Sequence, residues 1–183
     1  PPQPLAHLPG AQPQSAINAA VPKVFDLTMR MMAWGVNGRS FNMLQASPEE
    51  TVKLGTHEIW EFRNEGQDSM MGMVMAHSMH IHGHSMLVTH RDGYELSAPF
   101  RVDTLGIMPG ERYDVIMEAD NPGFWVFHDH VGLSVMNDDQ APGGMFTMIG
   151  YQGFLEQTWN ARTDRALDLI EFTYEHHSAG HQH

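Results

Sequence analysis

From Val24 onward the chain is punctuated by turn residues at intervals of about ten positions. Asn37-Gly38, Asp92-Gly93, Pro109-Gly110, Asn121-Pro122-Gly123 and Pro142-Gly143-Gly144 separate short runs rich in β-branched, aromatic and methionine side chains. Glycine supplies positive φ and proline removes a backbone donor, so helices of ordinary length do not fit between such breaks. The runs 24–32, 51–54, 58–63, 86–90, 100–105, 112–118, 124–130 and 145–151 read as strands, with Asn37-Gly38 a tight hairpin turn. Strands this short and this regular predict an all-β sandwich or barrel. Residues 1–22, proline-rich and without an acidic side chain, read as an extended arm or linker. Residues 23–152 hold the strands. Residues 153–183 form a C-terminal extension with one further strand at 167–174 and a His-rich tail, read as solvated.

Two histidine motifs stand in this frame. The first is H-S-M-H-I-H-G-H, His77 to His84, and the second is F-H-D-H, Phe127 to His130. Side chains alternate faces along a strand, so His80 and His82 share a face and His77 points to the other. By the same parity His128 and His130 share a face, opposite to Asp129. Two such strands side by side offer four imidazoles to one metal cluster, and imidazole is the commonest protein ligand for copper, zinc and iron. His84 continues the parity beyond Gly83 and reads as an exposed residue, with a further ligand as the alternative. His57 and His90 read as surface residues, and His7 lies in the arm. Trp60 and Trp125 read as core, and Arg112, Tyr113 and Asp114 as structural.

The rest of the composition narrows the chemistry. There is no cysteine, hence no disulfide, no thiolate ligand and no Cys-type zinc site. Methionine is abundant at 15 residues, with six between Met70 and Met86, and thioether mixed with imidazole suits copper. Core filling is the competing role for these methionines. A net charge of -12 with ten scattered basic residues argues against nucleic acid. No apolar run approaches a membrane span. The chain opens on Pro-Pro rather than Met, as a processed product would.

The order G-x-x-E-x-W-E-x-x-N, H-x-x-H-x-H-G, D-T, P-G-E-R-Y-D-V, A-D-N-P-G, W-x-x-H-x-H and G-G-M resembles the C-terminal cupredoxin domain of the multicopper oxidases, a family of laccase, copper-resistance oxidase and nitrite reductase-like proteins. The resemblance spans roughly Val24 to Tyr151. It implies a Greek-key cupredoxin-like β-sandwich with copper at one end of the sheets. It further implies that His80 binds a type 2 copper and that His82, His128 and His130 bind paired type 3 coppers. These would be half of a trinuclear cluster whose other half belongs to a different cupredoxin domain. That domain would sit on a partner polypeptide or a removed N-terminal portion, or identical subunits would meet to build the site. Four imidazoles holding one or two coppers unaided is the remaining option.

The departures from the family are as informative. A type 1 copper requires a cysteine thiolate, two histidines and a weak axial methionine. Where the family has that cysteine stands Asp129, and where it has the second type 1 histidine stands Ser134. His77 remains of the set, with Met136 or Met145 as leftovers. His77 and Asp129 share a parity and are expected to form a hydrogen-bonded pair in place of the metal. Without a type 1 copper the domain cannot itself collect electrons from a substrate.

Three functions follow. The first is an enzyme part, supplying four histidines to a copper site that reduces dioxygen or a small oxyanion such as nitrite. Asp138 and Asp139 then become candidate proton-relay carboxylates, with a solvated loop as their plainer reading. The second is copper sequestration or delivery by the His and Met clusters. The third is a scaffold that docks an oxidase or electron-transfer partner. The retained histidine geometry favours the first. The resemblance and the missing initiator Met lead one to expect a periplasmic or extracellular protein.

Overall fold

The computed structural model describes residues 21–30, 33–41, 50–64, 66, 75–136 and 141–152. Eleven strands occupy them: β1 (Lys23–Arg30), β2 (Ala33–Val36), β3 (Thr51–Val52), β4 (His57–Arg63), β5 (His77–Ile81), β6 (Met86–Arg91), β7 (Tyr94–Val102), β8 (Thr104–Ile107), β9 (Arg112–Glu118), β10 (Phe124–Asp129) and β11 (Phe146–Tyr151). They form two sheets, ordered β2-β1-β4-β9-β6-β7 and β3-β11-β10-β5-β8. The β1–β4 and β3–β11 pairs are parallel and the others antiparallel. This is the expected sandwich, with crossovers between sheets that a meander would lack.

The sheets join through aromatic side chains placed by strand alternation. Phe25, Trp60 and Phe62 of the first sheet meet Phe127 of the second at ring-centroid distances of 5.4, 5.8 and 5.6 Å. Trp60, Phe62 and Phe127 are fully buried. Tilted and edge-on aromatic pairs of this kind add about 0.5–1.5 kcal/mol each beyond their buried area. Met79, Met86, Met117 and Met145 complete the core, so these methionines fill space between the sheets.

The turns behave largely as the sequence dictates. Asn37 and Gly38 have φ of 54° and 71°, and Val36 and Arg39 exchange both backbone hydrogen bonds across them. Asp92 and Gly93, with φ of 53° and 82°, close the β6–β7 hairpin in the same way. Positive φ at both central residues matches the right-handed twist of the flanking strands. Two expectations change. The strand read at 24–32 ends at Arg30 as β1, and a further strand that the pattern did not give, β2, begins at Ala33 and pairs with it from Leu27↔Val36 to Arg30↔Ala33. The 100–105 run divides at Asp103, where the chain leaves the first sheet as β7 and enters the second as β8.

The arm apart from residues 21 and 22, Asp138, Asp139, the strand read at 167–174 and the His-rich tail lie outside the described residues. Most of the Met70–Met75 run does too.

Candidate metal centre

Strand register brings the histidines together. β5 and β10 pair antiparallel with His80 directly opposite His128. One residue beyond β5, the His82 N–H donates to Val126 O at 2.9 Å. One residue beyond β10, the His130 N–H donates to Ser78 O at 2.9 Å. His82 and His130 therefore flank the central pair on the diagonals, within reach on a pleated surface. The His80 ring lies 4.8 Å from His82, 5.7 Å from His128 and 4.8 Å from His130 between centroids. His82–His128 and His128–His130 are 5.3 and 5.0 Å apart.

The outer nitrogens are held by the backbone. His80 Nδ1 is 3.0 Å from Asp103 O, and His128 Nδ1 is 2.9 Å from Asp129 O. A carbonyl only accepts, so each Nδ1 carries the proton and each Nε2 keeps its lone pair. Orientation of a ligating histidine through its other nitrogen is the usual device at metal sites. Burial is the main cause holding His128 well below the usual imidazole range, at about 3, with the neighbouring histidines adding to it. Its ring is thus neutral and available to a metal at any ordinary pH. His82 Nε2 lies 3.2 Å from His128 Nε2, so in the metal-free chain His82 is the donor. Among the described residues, no three His, Asp or Glu side chains are arranged to hold a single ion. The donor chemistry fits copper.

The opposite face carries a second network, built of hydrogen bonds around Asp129. His77 Nδ1 donates to Asp129 Oδ2 at 2.6 Å, as the parity leads one to expect. Ser134 Oγ donates to the same oxygen at 2.6 Å, and the Ser78 and Val131 N–H groups donate to Oδ1 at 2.6 and 3.2 Å. His77, Asp129 and Ser134 are all buried, and Trp34 stands edge-on to His77 at 5.8 Å. Burial pushes the Asp129 carboxyl up, but hydrogen bonds from His77, Ser134 and Ser78 outweigh it and hold the group below its ordinary 3.8. A depressed folded pKa stabilises the fold above the unfolded value and ceases to do so as pH falls through the folded one. In melts of the metal-free chain, the stability difference between wild type and Asp129→Asn should be constant above about pH 5 and shrink below about pH 4. A difference independent of pH across that range would contradict this.

Some residues sit elsewhere than the sequence implies. His84 is half-buried rather than exposed, with Nδ1 3.0 Å from His82 O and Nε2 2.7 Å from Tyr151 Oη. Both nitrogens are engaged by protein, so His84 is not arranged as a ligand here. Burial pushes the Tyr151 phenol up to about 12, which keeps it a hydrogen-bond donor. His57 is nearly buried and faces Glu118 at 3.3 Å, whereas His90 is half-buried at the end of β6. Trp60 is core. Trp125 is only half-buried and covers the Gly83 turn. Gly83 has φ +70°, and a Cβ there would meet the Trp125 ring at 2.6 Å. Gly83→Ala is therefore expected to cost about 2–4 kcal/mol, combining backbone strain with overpacking. A urea melt giving the wild-type midpoint would contradict it.

A sequence model for the multicopper oxidases matches residues 16–139. The chain belongs to the multicopper oxidase family. It is 31% identical over 124 residues to the multicopper oxidase MmcO of Mycobacterium tuberculosis, matching 68% of this chain and 21% of that protein. Over 96 residues it is 31% identical to human ceruloplasmin, covering 52% of this chain and 8% of the relative. Among solved structures, the multicopper oxidase mgLAC shares 35% identity at a TM-score of 0.62, covering 78% of this chain and 47% of that one. A blue copper oxidase from Nitrosomonas europaea shares 36% at 0.54, covering 64% and 34%. The chain thus spans only about a fifth or less of these curated relatives' length. The fold is the cupredoxin sandwich of the family, and copper is the family's metal. No helix among the described residues is long and apolar enough to cross a membrane.

Proposed function

We propose that His80, His82, His128 and His130 supply four imidazoles to a type 2/type 3 copper site, completed by another cupredoxin domain or by identical subunits. The observation that carries this is the ring cluster on paired strands, in which backbone bonds at Nδ1 of His80 and His128 leave Nε2 as the atom that would bind a metal. Because no three donors of the described residues surround one ion, the cluster favours completion by further donors over binding by these four alone. Copper, when bound, supplies one-electron reduction of a small acceptor. The chain's own part is to hold the imidazoles neutral, oriented and close together.

Dioxygen fits this site better than nitrite. A cleft of about 380 Å³ opens beside His80 and is lined by Asp103, Glu118 and Asp120. Carboxylates lining the cleft beside His80 repel an anion and leave a neutral molecule unaffected. Asp129 and Ser134 occupy the positions of the thiolate and second histidine, so electrons would arrive from a type 1 copper on another domain or from an electron-transfer partner. Periplasmic or extracellular placement belongs to the same reading.

Copper sequestration or delivery is the second reading. Met79 and Met86 count against it, because both are fully buried between the sheets, where a thioether meets no exchanging metal. The test is copper content per chain with optical and electron paramagnetic resonance spectra, on protein of measured oligomeric state. Copper retained in a defined oligomer or complex, and lost when that interface is broken, supports the shared site. Several Cu(I) ions per monomer, held without any assembly, would replace it with sequestration. A monomer that stays metal-free after copper loading would leave only a scaffold.

A further inference from the structure

Two of the four histidines stand beyond the ends of their strands, where no ladder on both sides fixes the backbone. His130 is steadied by the network around its neighbour Asp129. His82 lies in the turn that leaves β5 after Ile81, and a different set of groups holds it.

His84 Nδ1 is 3.0 Å from His82 O, and since a carbonyl can only accept, that nitrogen carries the proton. Nε2 is then the acceptor of the Tyr151 hydroxyl proton at 2.7 Å. The Tyr151 oxygen in turn accepts from the Asn121 N–H at 3.2 Å, so the phenol is committed on both sides. Tyr151 is buried in the main core on β11, and its N–H donates to Gly123 O. The His84 ring stacks on Tyr151 at 5.9 Å and stands edge-on to Trp125 at 5.5 Å. Asn121 Nδ2 donates to Gly83 O at 3.0 Å, and Trp125 Nε1 donates to Asn121 O at 2.8 Å. These links connect β10, β11 and the Asn121 segment before β10 to the His82–His84 turn.

We propose that Tyr151 and His84 are positioning residues for His82, a two-bond strut that fixes the His82 main chain and so aims its ring at His128. The inference rests on the reading of His82 as a copper ligand. Groups that orient a ligand through hydrogen bonds typically change metal affinity by about 10–100-fold when removed.

The test uses the full chain with Cu(II) as the probe, measuring affinity by competition and the copper environment by electron paramagnetic resonance. Urea melts of each metal-free variant separate folding from binding. Tyr151→Phe removes one hydroxyl, His84→Phe removes both bonds, and His84→Gln keeps an amide N–H for His82 O and an amide oxygen for Tyr151. Expected are an about 10–100-fold loss of affinity with an altered copper spectrum for Tyr151→Phe and His84→Phe, and near wild-type behaviour for His84→Gln. The double variant Tyr151→Phe/His84→Phe should be no worse than His84→Phe alone, because the two groups act in series. Unchanged affinity and spectrum in a folded Tyr151→Phe chain would overturn the strut while leaving His82 a ligand. His82→Ala is the control: copper binding unaffected by it would overturn the ligand reading, and the strut with it. A variant that loses stability yet binds copper with the wild-type spectrum also overturns the proposal, since the pair would then be merely structural.

Discussion

Asp129→Ala is expected to lose about 3–5 kcal/mol of stability in the metal-free chain, measured by urea unfolding. The carboxylate accepts two hydrogen bonds on each oxygen from His77, Ser134, Ser78 and Val131, and it is almost wholly buried. Truncation leaves the His77 ring and two backbone N–H groups facing a cavity without that acceptor, whereas the Ser134 hydroxyl keeps Val131 O at 2.7 Å; each orphaned buried donor costs about 1–3 kcal/mol. The bonds also tie β5 to the turn after β10, so their loss loosens the two elements that carry the histidines. Asp129→Asn should recover part of the loss, because the amide oxygen can still accept. Its NH2 would point a donor at one of the donors now facing Asp129, so recovery should stop short of wild type. A loss below about 1 kcal/mol for Asp129→Ala would mean that the network contributes little to the fold.

The second large effect concerns copper. His80→Ala combined with His82→Ala should weaken copper binding in the assembled protein by more than about 100-fold, beyond the range for groups that only orient ligands. On the proposed function, oxygen reduction should fall to background in the same variant. The two rings are 4.8 Å apart and carry half of the four-ring cluster, so their loss leaves only His128 and His130 of the set, on the adjoining strand. Because neither His80 nor His82 is counted in the buried core, the fold should survive the change, and far-UV circular dichroism would check that. Copper content reduced only slightly would instead favour sequestration, with the capacity held elsewhere.

Much of this site is legible in the order of the residues. Parity alone assigns His80, His82, His128 and His130 to one side and His77 with Asp129 to the other, since alternation of side chains is a property of any strand. The pairing of His77 with Asp129 follows from the same rule, given an aspartate where the family has its cysteine. The two-residue turns at Asn37-Gly38 and Asp92-Gly93 are equally legible, because their positive φ demands a small set of residue types. The separate strand at Ala33–Val36 and the division within 100–105 escape such reading for one reason. A strand pattern records which face is buried and not where the chain changes partner or sheet.

His84, Tyr151 and Ser134 mark the limit of local pattern. Ser134 is visible as a departure from the family, but nothing in its neighbours says that its hydroxyl turns back to Asp129. Tyr151 is 67 residues from His84 and carries no motif, yet their side chains meet at 2.7 Å. Face and turn type were determined by the sequence itself, because they arise from backbone geometry within a few residues. Only the tertiary structure decided which donors and acceptors meet. Those contacts depend on the register between strands distant in the chain, which local periodicity does not encode.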